Sequence, residues 1–162
     1  MKKLFLLSVM SLHLFSAKAQ IETKYDEFSR ETSHRTPYSG WTFGVRMPEA
    51  LSGYTFIDSS LSTRHYLYIR CFTSSLGGIH SKGAHILFTD GSKLFYDEDV
   101  EYEYSSTFST YIATCFVDVS KEDLEAIATK RVKAVRLYVS DRYLQPKEQE
   151  RILSNFNLLI SK

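Results

Sequence analysis

The stretch AHILFTDGSKLFY, residues 84–96, decides the fold. Two apolar runs flank Asp90-Gly91-Ser92, and Asp-Gly is a dipeptide that tight antiparallel turns select because its backbone tolerates positive φ. A β-hairpin is expected here, with Asp90 and Gly91 in the turn and Gly91 at positive φ. Upstream, beyond a Ser- and Gly-rich loop at 73–83, the run HYLYIRCF at 65–72 alternates cleanly. Leu67, Ile69 and Cys71 share one face of that strand, and Tyr66, Tyr68, Arg70 and Phe72 the other. Further upstream, 41–47 and 54–57 read as two short strands joined by a turn. Residues 20–36 read as an extended lead-in or short edge strand closed at Thr36-Pro37.

Downstream of the hairpin, Val100, Tyr102 and Tyr104 alternate with Glu101 and Glu103, the pattern of a half-buried strand with its carboxylates in water. Residues 108–119 form a longer strand. Ser120 is placed to cap a short helix over 121–128, with Asp123 completing an approximate capping box. Residues 132–139 return to strand. Pro146 then opens an amphipathic helix on which Ile152, Leu153, Phe156, Leu159 and Ile160 recur at helical spacing. The whole predicts a mainly β protein, an antiparallel β-sandwich of about seven or eight strands with one short helix and a C-terminal helix over an edge or open end.

The chain has 162 residues, 43% apolar and 24% charged, which excludes a disordered tail or a collagen-like repeat. Residues 1–19 combine Lys2 and Lys3, an apolar run at 4–15 and Ala17-Lys18-Ala19, the three-part pattern of a cleavable secretory signal. Cleavage between Ala19 and Gln20 is expected, leaving one β-rich globular domain over 20–162. The apolar run is too short to span a bilayer as a helix, and no span is expected in the mature chain. Without Lys2, Lys3 and Lys18, the 20 basic residues fall to 17 against 19 acidic ones, a net charge of −2. That balance carries no electrostatic footprint for nucleic acid. The expected destination is export, to a Gram-negative periplasm or the extracellular medium.

Several short motifs lie along the mature chain: Tyr25-Asp26-Glu27-Phe28, Thr36-Pro37, the hairpin at 86–93, and the capped Asp123-Leu124-Glu125 helix followed by Arg136-Leu137-Tyr138-Val139. Together they resemble a group of small uncharacterised secreted proteins from Bacteroidetes. The resemblance implies a compartment and a fold class, and no reaction. Cys71 and Cys115 are not part of its pattern.

Cys71 and Cys115 are the only cysteines, each inside a predicted strand on an inward face. An exported compartment permits a disulfide between them, worth about 4 kcal/mol in the chain-entropy picture. Two buried thiols acting as small hydrophobes fit the residues equally well. His80 and His85 lie across Gly83 with Asp90 as a conceivable third metal ligand, but no zinc spacing is present and separate histidines are the simpler reading. Asp97-Glu98-Asp99 with Glu101 and Glu103 lacks the central glycine and closing glutamate of a calcium loop and reads as a solvated turn and strand face. Arg136 interrupts an apolar strand, so either it pairs with Asp26 as a structural clasp or it faces solvent.

No nucleophile elbow, phosphate loop or dinucleotide fingerprint occurs, and no cofactor is expected. The eleven tyrosines and Trp41 suit half-buried strands and could also offer a stacking surface. Two functions fit. The first is a non-catalytic exported module binding a protein or glycan surface. The second is a small periplasmic hydrolase with a carboxylate-based site assembled from distant residues. An exposed aromatic surface favours the first, and a deep pocket of carboxylates with displaced pKa values favours the second.

Overall fold

At the predicted hairpin the Phe88 N–H donates to the Ser92 carbonyl at 3.0 Å and the Gly91 N–H to the Phe88 carbonyl at 3.1 Å. Gly91 stands at φ 86°. The structure, a computed structural model, describes residues 21–37, 39–42, 45–58, 60–74 and 81–162. The expected signal segment with its Ala19–Gln20 junction, His80 and the side chain of Trp41 lie outside the described residues. In chain order the elements are β1 (Glu22–Asp26), β2 (Glu31–Arg35), β3 (Ser39–Thr42), β4 (Val45–Pro48), β5 (Leu51–Ile57), β6 (Thr63–Thr73) and β7 (Lys82–Phe88). They continue with β8 (Lys93–Asp99), β9 (Glu101–Ser105), β10 (Thr110–Val119), α1 (Lys121–Thr129), β11 (Val132–Leu137), β12 (Ser140–Tyr143) and α2 (Pro146–Ile160).

Two antiparallel sheets make a mainly β, sandwich-like fold: six strands in the order β1-β2-β5-β6-β10-β9, and four in the order β12-β11-β7-β8. β3 and β4 pair with each other. The alternation along β6 decides which face is inside. Leu67, Ile69 and Cys71, with Ala113, Cys115 and Val117 of β10, meet Ala84, Ile86 and Phe88 of β7 and Val135 and Leu137 of β11 in one buried core. Cys71 Sγ lies 3.8 Å from the Val135 carbonyl oxygen, which locates the meeting of the two sheets. Each fully buried Leu, Ile or Phe contributes roughly 1.5–3 kcal/mol to holding them together.

The helices close an open end. Ser120 Oγ accepts the Asp123 N–H at 3.1 Å and starts α1. Pro146, whose missing N–H is harmless in a first turn, starts α2, and Glu148 reaches back to accept the Gln145 N–H at 3.1 Å. α2 touches β5 of the larger sheet and β11 of the smaller, with α1 packed beside it. Gly53 makes the close approach possible, because a Cβ there would stand 2.7 Å from both Leu159 Cδ2 and Phe156 Cε1. Two ion pairs anchor the same helix. Arg151 donates to both oxygens of Glu49, which is 1% exposed, and Arg142 donates to Glu148 at 2.8 Å and to the Pro48 carbonyl at 3.0 Å.

The structure corrects the sequence reading at five places. Twelve strands stand among the described residues, ten of them in the two main sheets, rather than the seven or eight expected. Within the stretch 20–36, residues 22–35 form a two-stranded hairpin rather than one edge strand: β1 pairs with β2, and Arg30 takes φ 57° in the connecting turn. The run 41–47 divides into β3 and β4, with Thr42 opposite Val45. The strand expected over 132–139 stops at Leu137, where Tyr138 takes φ 52° and the chain returns as β12. The Asp26–Arg136 pair does not form. Asp26 Oδ1 instead accepts the N–H groups of Phe28 at 2.8 Å and Ser29 at 3.4 Å, holding the β1–β2 turn. Arg136 pairs with Asp141.

Candidate functional site

The outer face of the four-stranded sheet carries two adjacent side-chain rows that each cross all four strands. Pairing sets Arg136 opposite both Asp141 and His85, and His85 opposite Phe95. The next row is Tyr143, Ala134, Leu87 and Lys93. The period of two puts every one of these side chains on the face that turns away from the core. Ala134 is the small residue among them, and its short side chain leaves a hollow between Tyr143 and Leu87. The result is a concavity of about 110 Å³ lined by both rows except Phe95, together with Ile86 and Val135.

Its floor is apolar, from Ala134 and Leu87. Its rim is aromatic and charged. Phe95 and Tyr143 are 59% and 62% exposed, far more than a core-building aromatic would be. The His85 ring lies against Phe95 with centroids 4.7 Å apart and the planes tilted by 43°. Arg136 donates in a fork to Asp141, from Nε to Oδ1 and from Nη2 to Oδ2 at 2.9 Å. That fork holds the Asp141 carboxyl below its ordinary pKa. Burial, then the Arg136 and Lys93 charges, push the His85 pKa down, and Asp141 opposes them. Among the described residues neither Lys93 nor His85 has a hydrogen-bonding partner, so both present free polar atoms to the hollow.

Chemically, this arrangement can hold a small ring. An apolar face would lie on Ala134 and Leu87, while polar edges would meet the Lys93 ammonium, the His85 ring nitrogens and the Arg136–Asp141 plane. Asp141 is the one carboxylate in the lining, and it is held ionised. A general acid needs the opposite, a carboxyl that keeps its proton near neutrality.

A second aromatic surface covers the outer face of the six-stranded sheet. Tyr66 stacks on Phe116 at 5.0 Å, and Tyr54 meets Phe116 edge-on at 5.9 Å. Tyr54, Phe56, Tyr68 and Phe116 line a shallow hollow of about 260 Å³. Tyr54 is nonetheless only 7% exposed, and Tyr54, Tyr68 and Arg70 have further partners within the chain. These rings pack chiefly on one another, with Phe116 51% exposed.

The remaining sequence candidates are placed apart. Cys71 and Cys115 are free buried thiols in diagonal positions on the inner face, Cys71 opposite Ala113 and Cys115 opposite Ile69. Burial pushes both pKa values up to about 12, which removes the thiolate a nucleophile requires. Asp90 lies in its turn with Lys130 Nζ at 3.0 Å and is not among the residues that line the hollow with His85. His34 and His65 meet Thr23 and Thr55 hydroxyls. Among the described residues no three His, Cys, Asp or Glu side chains gather around a common point.

Lys93, Phe95, Ala134, Asp141 and Tyr143 were not singled out from sequence. The available signal was Arg136, a charge isolated in an apolar strand, together with the alternation that puts His85 and Leu87 on one face of β7. Comparison of the chain with protein-family profiles, with curated proteins and with solved structures finds no match.

Proposed function

We propose that this chain is a non-catalytic exported module that binds a glycan, with the hollow on the four-stranded sheet as the seat of one sugar ring. The observation that carries the reading is the apolar floor of Ala134 and Leu87 beneath a rim of exposed Tyr143, the Arg136–Asp141 fork and Lys93, which has no partner among the described residues. A pyranose has the matching chemistry, an apolar C–H face and a perimeter of hydroxyls that both donate and accept. A protein surface would more naturally meet a broad apolar core with a polar rim than a hollow of this size. Export is supported by the signal-type pattern of residues 1–19 and by the resemblance to secreted proteins of Bacteroidetes. Hydrolysis is disfavoured by the single carboxylate in the seat, ionised and bound to an arginine.

Retention on a panel of immobilised polysaccharides tests the reading, with the products sized after prolonged incubation. The expected result is retention without shortening of the chains, weakened by Tyr143→Ala with the denaturation midpoint unchanged. Retention on none of them, or the release of new reducing ends, would overturn it.

A further inference from the structure

We propose that the sugar is an acidic one, its negative group held between Lys93 and His85. This rests on the reading of the hollow as a glycan seat and adds the charge of the ligand. The argument starts from the balance of charge in the lining. Arg136 and Asp141 balance each other's charge through a forked pair, in which each carboxylate oxygen accepts one N–H and keeps further acceptor capacity. Lys93 is then left as a cation with no partner among the described residues, set at the edge of an apolar floor. A ligand anion supplies the partner that the described residues do not.

Register says where that anion would sit. Lys93 is opposite Leu87 and His85 is opposite Phe95, so Lys93 and His85 occupy diagonal positions on neighbouring strands. Diagonal positions in an antiparallel pair are about 7–8 Å apart, too far for direct contact between compact groups and suited to an oxygen anion between a flexible lysine and a ring nitrogen. His85 is held by its contact with the Phe95 ring, so that side of the pocket is pre-oriented. The apolar face of the ring rests on Leu87 and Ala134, and Arg136 and Asp141 present a donor and acceptor edge to its hydroxyls. Carboxylate on a uronic acid and sulfate ester on a neutral hexose share this chemistry.

The charged groups facing His85 are Arg136 from β11, Lys93 from β8 and Asp141 from β12. Burial and the two cations keep the imidazole neutral at pH 7, so it gains its proton only below its ordinary value near 6.5. Affinity for an acidic sugar therefore rises as pH falls from 7 toward 5, while a uronate is still ionised. His85→Gln abolishes that rise.

The test uses polygalacturonate, alginate and hyaluronan, each beside its carboxyl-reduced form, with a sulfated galactan as a further arm, followed by calorimetry at two salt concentrations. The expected result is binding of at least one polyuronate, loss of it on carboxyl reduction, and weakening by salt. Lys93→Gln is expected to weaken it about tenfold or more, with unchanged denaturation midpoint. Binding of the sulfated galactan as well assigns recognition to negative charge, and its exclusion assigns it to the carboxylate. Equal binding of the reduced and unreduced forms, or an unchanged preference in Lys93→Gln, overturns the acidic-sugar inference and leaves the glycan seat standing. Absence of binding to every polysaccharide overturns both.

Discussion

Arg136 and Asp141 face each other across the β11–β12 pair, and the guanidinium holds both carboxylate oxygens. The pair is half-exposed, with side-chain accessibilities of 53% and 35%. Water screens such a pair, so its importance lies in orientation more than in stability. Arg136→Ala should leave the denaturation midpoint nearly unchanged yet weaken glycan retention, with Asp141→Ala doing the same and the double variant no worse than either. Combining Arg136→Ala with Asp26→Ala should give additive effects in chemical denaturation, because Asp26 serves a different turn.

The hairpin turn offers a sharper stability test. Nothing lies within 4 Å of a Cβ built on Gly91, so any penalty there is backbone strain alone. Gly91→Val should destabilise by more than about 1 kcal/mol, and Gly91→Asn by less, since Asn tolerates positive φ. Asp90 accepts from Ser92 Oγ and N–H and pairs with Lys130, which holds its pKa down at about 2. A depressed carboxyl stabilises the fold above its ordinary value of 3.8 and loses that contribution as pH falls toward about 2. Asp90→Asn should therefore flatten the stability profile between these pH values, as followed by acid titration of the folded signal.

Gly53 tests the seating of α2. A methyl group there would overlap Leu159 and Phe156 in a fully packed site, and Gly53→Ala should destabilise by about 1–3 kcal/mol through overpacking. Trimming Leu159 to Ala in the same chain should recover part of the loss. Urea denaturation of the three variants decides the matter.

The Glu49–Arg151 pair lies 102 positions apart in sequence and joins the chain before β5 to α2. Glu49 is almost wholly buried, so Glu49→Ala should destabilise by about 3 kcal/mol through the loss of a compensated buried charge. The coupling energy in a cycle with Arg151→Ala should be clearly non-zero. Additive losses would show that the two side chains act independently.

Cys71 and Cys115 should behave as two slow thiols. With both pKa values near 12 and both side chains buried, iodoacetamide should modify neither in the folded protein at neutral pH. Unfolding in guanidinium without reductant should expose both, adding two carbamidomethyl groups to the intact mass.

Much of this architecture was legible because it depends on neighbours in sequence. Asp90-Gly91 specified a turn through local backbone freedom, Ser120 and Pro146 marked the two helix starts, and the alternation along 65–72 separated Leu67, Ile69 and Cys71 from the aromatic face. Two of the misread segments turn at residues that are neither glycine nor proline, Arg30 and Tyr138. Tyr138 and Arg30 adopt left-handed conformations that their chemistry does not announce: the distant Gly83 carbonyl takes the Tyr138 N–H at 2.8 Å, and the nearby Asp26 carboxylate holds the turn before Arg30.

The candidate site belongs wholly to the second kind. The sequence alone determined that His85 and Leu87 share a face and that Arg136 is a charge among apolar neighbours. That Arg136 meets Asp141 rather than Asp26, and that Lys93 and Tyr143 line the same hollow as His85, follows from the tertiary pairing of distant strands. Strand order and register set those meetings. They are fixed by burying Ala84, Ile86, Val135 and Leu137 on the opposite face of the same sheet, so the core positions the outer surface although it touches no ligand.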